Sequence, residues 1–170
     1  MMPLNATRLG RQRTPFRIKA TPIISVMLAS LATALPIVAQ SPILPPFGLM
    51  LFLAWRLLRP ELWPVWIGLP LGAFDDLASG QPLGTGMVLW TLILLGIELD
   101  SRRHLFRDYL QDWLIATVAI AVWLLAGGLI VRLSGHGGPM VQLLPQIGYS
   151  ILLFPLVVRV CATLDRWRLP

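Results

Sequence analysis

The chain has 170 residues, of which 56% are hydrophobic and only 13% are charged, and its mean hydropathy is +0.72. This composition argues against a soluble domain and predicts a membrane protein. The net charge of +6 at pH 7 does not indicate a nucleic-acid partner. Nearly all basic residues lie between or beside apolar segments, where membrane topology and anionic lipid headgroups account for them.

Long segments without a charged residue define the fold class. They contain 36, 21, 19 and 26 residues, at 20–55, 77–97, 113–131 and 133–158. A helix needs about 20 mostly apolar residues to cross a bilayer. We therefore expect an all-α, polytopic membrane protein.

The predicted elements begin with a basic tail, residues 1–20, followed by an apolar segment that is too long for one span. Prolines 42, 45 and 46 cannot continue a helix and divide that segment. The six predicted spans are about 22–39, 43–58, 60–77, 83–98, 113–131 and 143–164. One membrane domain, 21–165, then precedes a short basic end, 166–170. The first apolar segment exceeds the 7–15 residues of a signal-peptide core, so we interpret it as a retained anchor.

The distribution of positive charge predicts the orientation of these spans. With the amino terminus in the cytoplasm, 13 of the 14 Lys and Arg residues lie on the inner side and only Arg132 lies outside. Because Lys and Arg accumulate in cytoplasmic loops, this split predicts that both termini are cytoplasmic. The seven tryptophans are expected mainly near span ends, as interfacial anchors.

The segment GAFDDLASGQPLG, residues 72–84, places two carboxylates at the end of the third predicted span. Gly80 can stop a helix with a positive φ, and Pro82 can start the next one. Backbone N–H groups near Leu83 to Thr85 would then be unpaired, and an ionised Asp76 could accept their hydrogen bonds. Ser79 could add a hydroxyl. The sequence thus predicts a carboxylate that locks a helical hairpin, and the alternative is a site that gates or coordinates a ligand. Asp75 is expected to point elsewhere and to be solvated.

The motif from Asp76 to Gly84, D-L-A-S-G-Q-P-L-G, resembles the central signature of the rod shape-determining MreD family. That resemblance implies a bacterial inner-membrane protein without enzymatic activity and with a helical fold similar to the S-components of vitamin transporters. It further implies association with the single-span protein MreC, and through it with MreB, RodA and the transpeptidase of RodA. Asp76, Ser79, Gly80, Pro82, Leu83 and Gly84 are the residues that match the motif.

Two further features are candidate contact surfaces. Ser25, Ala29 and Thr33 form a small-residue stripe in the first span, and Gly68 and Gly72 do the same in the third. Such stripes permit close helix packing, within the protein or against a partner. The charged inner loop before the fifth span is either an amphipathic interfacial connector or a partner-docking segment. Its candidate contact residues are Arg102, Arg103, Phe106 and Arg107.

No residue pattern predicts catalysis, a metal site or a cofactor. The two histidines fall on opposite sides of the predicted membrane, and no zinc-type spacing or phosphate-binding loop is present. The expected function is a membrane scaffold of cell-wall elongation that contacts lipid and an MreC-like partner. The alternative is the substrate-binding S-component of an energy-coupling vitamin transporter, which would need a buried pocket with several convergent polar groups.

Overall fold

The computed structural model describes residues 15–33, 44–101, 108–135, 141 and 143–168, with side chains from residue 20 onwards and not at residue 168. The described residues contain no strand, as predicted, and they form six α-helices. These are α1 (Pro15–Thr33), α2 (Phe47–Leu58), α3 (Gly68–Ser79), α4 (Thr85–Ser101), α5 (Tyr109–Leu133) and α6 (Leu143–Arg168). The helix α1 begins at Pro15, within the segment 1–20 that the sequence predicted to be a tail.

The helix α2 lies at the centre of the fold. It packs against α1, α5 and α6, and six of its own side chains are fully buried. They are Leu49, Met50, Phe52, Leu53, Ala54 and Trp55. A helix that is apolar all round is stable only inside other protein or lipid, and here other helices enclose it. With 12 residues it rises only about 18 Å, much less than the hydrocarbon thickness of about 30 Å.

Aromatic rings fill the space between α2 and α4. The ring of Phe52 lies 4.8 Å from that of Trp63 in an edge-to-face arrangement and 4.6 Å from that of Trp90. Trp55, Trp63, Trp90 and Trp123 are all buried. The prediction that the tryptophans are mainly interfacial anchors is therefore wrong for these four, because the central helix needs large side chains around it.

The third predicted span is not one continuous helix. Residues 60–77 comprise two short 3-10 turns, Pro60–Leu62 and Val65–Ile67, followed by the first part of α3. Pro60 and Pro64 lack the N–H that an α-helix would need at these positions, so the chain turns instead. Pro70 is tolerated because it lies in the first turn of α3, where its N–H would be unpaired anyway.

In the part of the chain that the structure describes, two helices are long and apolar enough to cross a membrane, Tyr109–Leu133 and Leu143–Trp167. The first begins four residues earlier than the span predicted at 113–131. Asp108 precedes it, and the carbonyl of Asp108 accepts the N–H of Asp112. Tyr109 and Leu110, which precede the predicted span, form the first turn of α5.

Two ion pairs join the carboxyl-terminal ends of α2, α4 and α6. The buried guanidinium of Arg56 contacts the carboxylate of Glu98 and donates to the carbonyls of Pro60 and Trp63. Arg59 donates two hydrogen bonds, of 3.0 and 3.1 Å, to Asp165 Oδ2. The Glu98 side chain keeps 33% of its surface exposed in this pair, whereas that of Arg56 keeps 3%. The pairs place three helix ends on one side of the fold.

We predict that Glu98→Gln destabilises the protein by about 2 kcal/mol, because it leaves the Arg56 charge buried without its counter-charge. Glu61→Gln is the comparison, since Glu61 is exposed and such surface substitutions usually change stability by less than about 0.5 kcal/mol. Thermal unfolding of both purified variants in the same detergent measures the difference. Equal losses of stability would contradict the assignment of Arg56 as the anchoring residue.

Candidate functional site

The hairpin between α3 and α4 follows the helix-stop signal of the sequence. Gly80 ends α3 with φ of 70°, a left-handed conformation that side chains other than glycine adopt only with strain. Gly84 has φ of 101° and immediately precedes α4. The chain therefore reverses within residues 80–84, and α3 and α4 pack along each other.

The carboxylate of Asp76 holds this reversal. Its Oδ2 accepts the N–H of Gly84 at 2.9 Å, and its Oδ1 accepts the N–H of Gly86 at 2.6 Å. The side chain is only 1% exposed. The sequence predicted donors near Leu83 to Thr85, and the two donors lie within one residue of that range.

Asp76 takes the place of a missing helix cap. The residue before α4 is Gly84, which has no side chain to accept the N–H groups of the first helical turn. A carboxylate from the preceding helix accepts one of them, and it also lies at the positive end of the α4 dipole. This arrangement explains how a carboxylate can be buried without a cationic side chain in hydrogen-bonding distance.

The two helices of the hairpin approach so closely that side chains are excluded. A Cβ atom at Gly72 would lie 2.5 Å from the backbone carbon and oxygen of Gly86. A Cβ at Gly68 would lie 2.9 Å from the N of Thr91. The predicted small-residue pair of the third span thus packs against α4 within the protein.

Asp75 is buried, and the prediction that it is solvated is wrong. Its side chain is 5% exposed and lies beside Gly48 of α2 and Ser30 of α1. A Cβ atom at Gly48 would lie 2.9 Å from Asp75 Oδ1 and 2.2 Å from Ser30 Oγ. The adjacent carboxylates therefore face different surroundings, one the turn and the other the α1–α2 contact. The sequence reasoning missed Ser30 and Gly48 because only the tertiary fold brings them to Asp75.

Ser79 and Pro82 have other roles than predicted. The hydroxyl of Ser79 donates to the carbonyl of Asp75, within its own helix, rather than to the turn. Pro82 does not start α4, which begins at Thr85, and its carbonyl accepts the N–H of Thr85 at 3.2 Å. Leu83 is 73% exposed.

The stripe predicted in the first span is only half-buried. Ser25 accepts the indole N–H of Trp55 at 2.9 Å, and the hydroxyl of Thr33 donates to the carbonyl of Ser30. Ala29 lies between them. The fully buried stripe of α1 is the neighbouring one, Pro22, Val26 and Ser30. The inner-loop candidates Arg102, Arg103, Phe106 and Arg107 lie outside the described residues.

The hydrogen bonds of Asp76 in the hairpin hold its turn. Among the described residues, no group of three His, Cys, Asp or Glu side chains can hold a metal ion. Both oxygens of Asp76 are engaged by backbone N–H groups, so this carboxylate is positioned to hold the turn. A groove of about 460 Å³ lies between α4 and α5, away from the hairpin turn.

The chain matches no protein-family model, no curated protein and no solved structure. The class therefore rests on the fold of the described residues, which form helices and no strand and include two helices long and apolar enough to cross a membrane. The resemblance of the Asp76 motif to the MreD family stays a prediction from the sequence.

We predict that Asp76→Leu destabilises the protein severely, because each buried N–H group left unpaired costs about 1–3 kcal/mol. Asp76→Asn keeps one acceptor oxygen and should lose about half as much stability. The measurement is the yield and thermal stability of each variant in detergent. Glu61→Gln, which removes an exposed carboxylate, is the control. Two Asp76 variants with the stability of the wild type would rule out the lock.

We predict that Gly72→Ala costs about 2 kcal/mol or more, because the added methyl group meets the rigid backbone of Gly86. The matched control is Gly96→Ala, in the middle of α4, where an added Cβ has no atom within 4 Å. Removing a helical glycine there should leave stability unchanged or raise it by up to about 1 kcal/mol. The same thermal measurement compares the two, and a tolerated Gly72→Ala would contradict the close α3–α4 contact.

Proposed function

We propose that this protein is a non-enzymatic, multi-pass scaffold of the bacterial inner membrane that acts in cell-wall elongation and rod-shape determination. It would hold an MreC-like single-span protein by helix packing, and through it MreB, RodA and the transpeptidase. The observation that carries the proposal is the Asp76 hairpin. The motif that resembles the MreD signature is the segment that closes the turn between α3 and α4.

The distribution of exposed apolar side chains supports the multi-pass arrangement. The helix α5 exposes one continuous stripe with spacings of three and four residues, formed by Leu114, Val118, Val122, Leu125, Leu129 and Leu133. At 1.5 Å per residue this stripe is about 28 Å long, close to the hydrocarbon thickness of about 30 Å. Water would be a poor environment for such a surface, whereas lipid suits it.

Three other helices expose stripes with the same spacing. On α1 the residues are Ile24, Leu28 and Leu31, on α4 they are Val88, Leu92, Leu95 and Leu99, and on α6 they are Leu152, Leu156 and Val160. An apolar surface distributed over four helices around a buried α2 is expected of a bundle surrounded by lipid. The six-span topology with both termini in the cytoplasm fits this arrangement, with the ion pairs of Arg56 and Arg59 on the inner side.

The small number of polar side chains that line the two grooves below favours a scaffold over a transport subunit. A binding site for a vitamin needs a pocket with several convergent polar groups. The groove between α4 and α5 has one polar side chain, Asp100, among ten apolar or glycine positions. A smaller cavity of about 180 Å³ lies between α2, α5 and α6 and contains Tyr109, Asp112 and Trp113 among apolar residues.

The experiment is purification of the tagged protein from its own membranes in mild detergent, followed by quantitative mass spectrometry. We expect enrichment of a single-span protein similar to MreC together with cell-wall synthases. Enrichment of the ATPase and coupling subunits of a transporter would instead support the S-component alternative and overturn the proposal.

A complementation assay tests the role in cell shape. Cells depleted of the protein should lose their rod shape, and the wild-type chain should restore it. We expect Asp76→Leu to fail and Glu61→Gln to restore the rods, with both proteins quantified in the membrane. Depleted cells that keep their shape would contradict the proposed function.

A further inference from the structure

The outward face of α6 changes from apolar to basic along its length. One stripe of this helix is buried against the bundle and comprises Ser150, Phe154, Val157, Cys161 and Asp165. The opposite stripe is exposed, and we call it the outward face: Leu152, Leu156, Arg159, Thr163 and Arg166. Both stripes follow spacings of three and four residues, so they lie on opposite sides of one helix. The two arginines therefore point away from the bundle.

The change from leucine to arginine falls at the level where α5 begins. Val158, next to Arg159, lines a small cavity together with Tyr109, the first residue of α5. Along α6, Arg159 lies about 24 Å from Leu143, and the hydrocarbon region is about 30 Å thick. In the proposed topology Arg159 thus lies near the inner boundary of the hydrocarbon, and Arg166 lies about 10 Å further towards the cytoplasm.

The guanidinium groups of both arginines keep donors available for an anion. Among the described residues, Arg159 forms no side-chain hydrogen bond, and Arg166 uses only its Nε–H, which donates to the carbonyl of Ala162 at 3.4 Å. Because Ala162 lies one turn before Arg166, this bond directs the Arg166 side chain back towards Arg159. The hydroxyl of Thr163 donates to the carbonyl of Arg159 at 2.9 Å, within the helix. The available donors of this face are therefore the two guanidinium groups.

No carboxylate in the described part of the chain pairs with these two arginines, since the ion pairs there are those of Arg56 and Arg59. Asp165 precedes Arg166 in the sequence, but it is buried on the opposite side of α6 and accepts both hydrogen bonds of Arg59. The outward face thus carries two positive charges without a counter-charge. A guanidinium binds a phosphate group through two parallel N–H···O bonds, which makes phosphate the complementary anion.

The surroundings of the arginines fit a phospholipid rather than a free anion. Leu152 and Leu156 continue the outward face towards the middle of the membrane and are 75% and 56% exposed, so an acyl chain can lie along them. At the inner ends of the two long helices, Trp167 and Tyr109 are 80% and 67% exposed, as aromatic residues at the headgroup level are. The cytoplasmic leaflet contains anionic lipids that attract basic residues beside a transmembrane helix.

We propose that the outward face of α6 is a binding site for an anionic phospholipid of the inner leaflet, whose phosphate group is held by Arg159 and Arg166 while an acyl chain lies on Leu156 and Leu152. A zwitterionic lipid fits less well, because its ammonium group would meet two guanidinium groups and no carboxylate. The inference goes beyond the proposed scaffold function and depends only on the membrane location of α6.

Native mass spectrometry of the full chain in a neutral detergent tests the site. Phosphatidylglycerol and phosphatidylethanolamine are added at equal concentrations, and the lipid-bound fraction is measured for each. We expect the wild type to retain phosphatidylglycerol preferentially. The double variant Arg159→Gln/Arg166→Gln should lower the affinity for phosphatidylglycerol by at least about tenfold, because it removes both charge-assisted contacts to the phosphate. Both side chains are exposed, so the lipid-free variant should match the wild type in thermal stability.

The matched control is Arg132→Gln, which removes an exposed arginine from the last turn of the other long helix. It should leave phosphatidylglycerol binding unchanged. The variant Arg159→Lys/Arg166→Lys should lose less affinity than the glutamine pair, since it keeps both charges but not the planar donor geometry. Inorganic phosphate in large excess should not displace the lipid, because it lacks the acyl chain that contacts the leucines.

Several results would overturn the site. Equal retention of the two lipids by the wild type does so without any variant. Loss of binding in Arg132→Gln as large as in the double variant would show attraction to any arginine, and displacement by inorganic phosphate would show a site for the free anion. Unchanged lipid binding by the double variant together with loss of a co-purified protein would show a protein-binding face. Failure of a single-span protein to co-purify with the wild type would instead overturn the scaffold function and leave the lipid site standing.

Discussion

The hydrogen bonds from the backbone of Gly84 and Gly86 to the carboxylate of Asp76 are the constraint on which the hairpin depends. A buried helix start has N–H groups that need acceptors, and Gly84 has no side chain to supply one. Asp76 supplies two acceptor oxygens from the preceding helix and thereby fixes the position of α4 along α3. Gly72 and Gly86 then meet backbone to backbone, so the contact has no tolerance for a side chain. Removing water from the turn strengthens these bonds and makes their loss more costly.

The position of α4 determines how the other helices pack around it. Because α4 is held against α3, one face of α4 packs Trp90 onto Phe52 of the central helix, and another face leaves a groove towards α5. The short α2 is largely buried because α1, α5 and α6 surround it. Arg56 then connects the end of α2 with Glu98 at the end of α4. Polar interactions thus fix both ends of α4, while the middle of the helix is held by packing of apolar side chains.

Two buried acids next to each other have different environments in this fold. Asp76 faces the helix start, whereas Asp75 faces Ser30 and Gly48 at the α1–α2 contact. Adjacent residues of a helix point about 100° apart, so they reach different neighbours. The sequence predicted the turn after Asp76 because Gly80, Pro82 and Gly84 are residue types that end helices and form turns. The surroundings of Asp75 were not readable, since Ser30 and Gly48 lie 45 and 27 residues away along the chain.

The sequence by itself determined the all-α class, the approximate helix positions, the helix stop at Gly80 and the use of Asp76 as an acceptor. These depend on local properties: apolar length, proline and glycine positions and the unpaired N–H groups of a helix start. Only the tertiary structure decided that α2 is the enclosed helix, that Arg56 pairs with Glu98, that Asp75 is buried and that α4 and α5 leave a groove. Those features depend on which helix faces pack together, and every helix of such an apolar chain offers several faces of similar hydrophobicity. Close backbone contacts and buried polar pairs determine which of these faces pack together. The residues that form such contacts are far apart in the sequence.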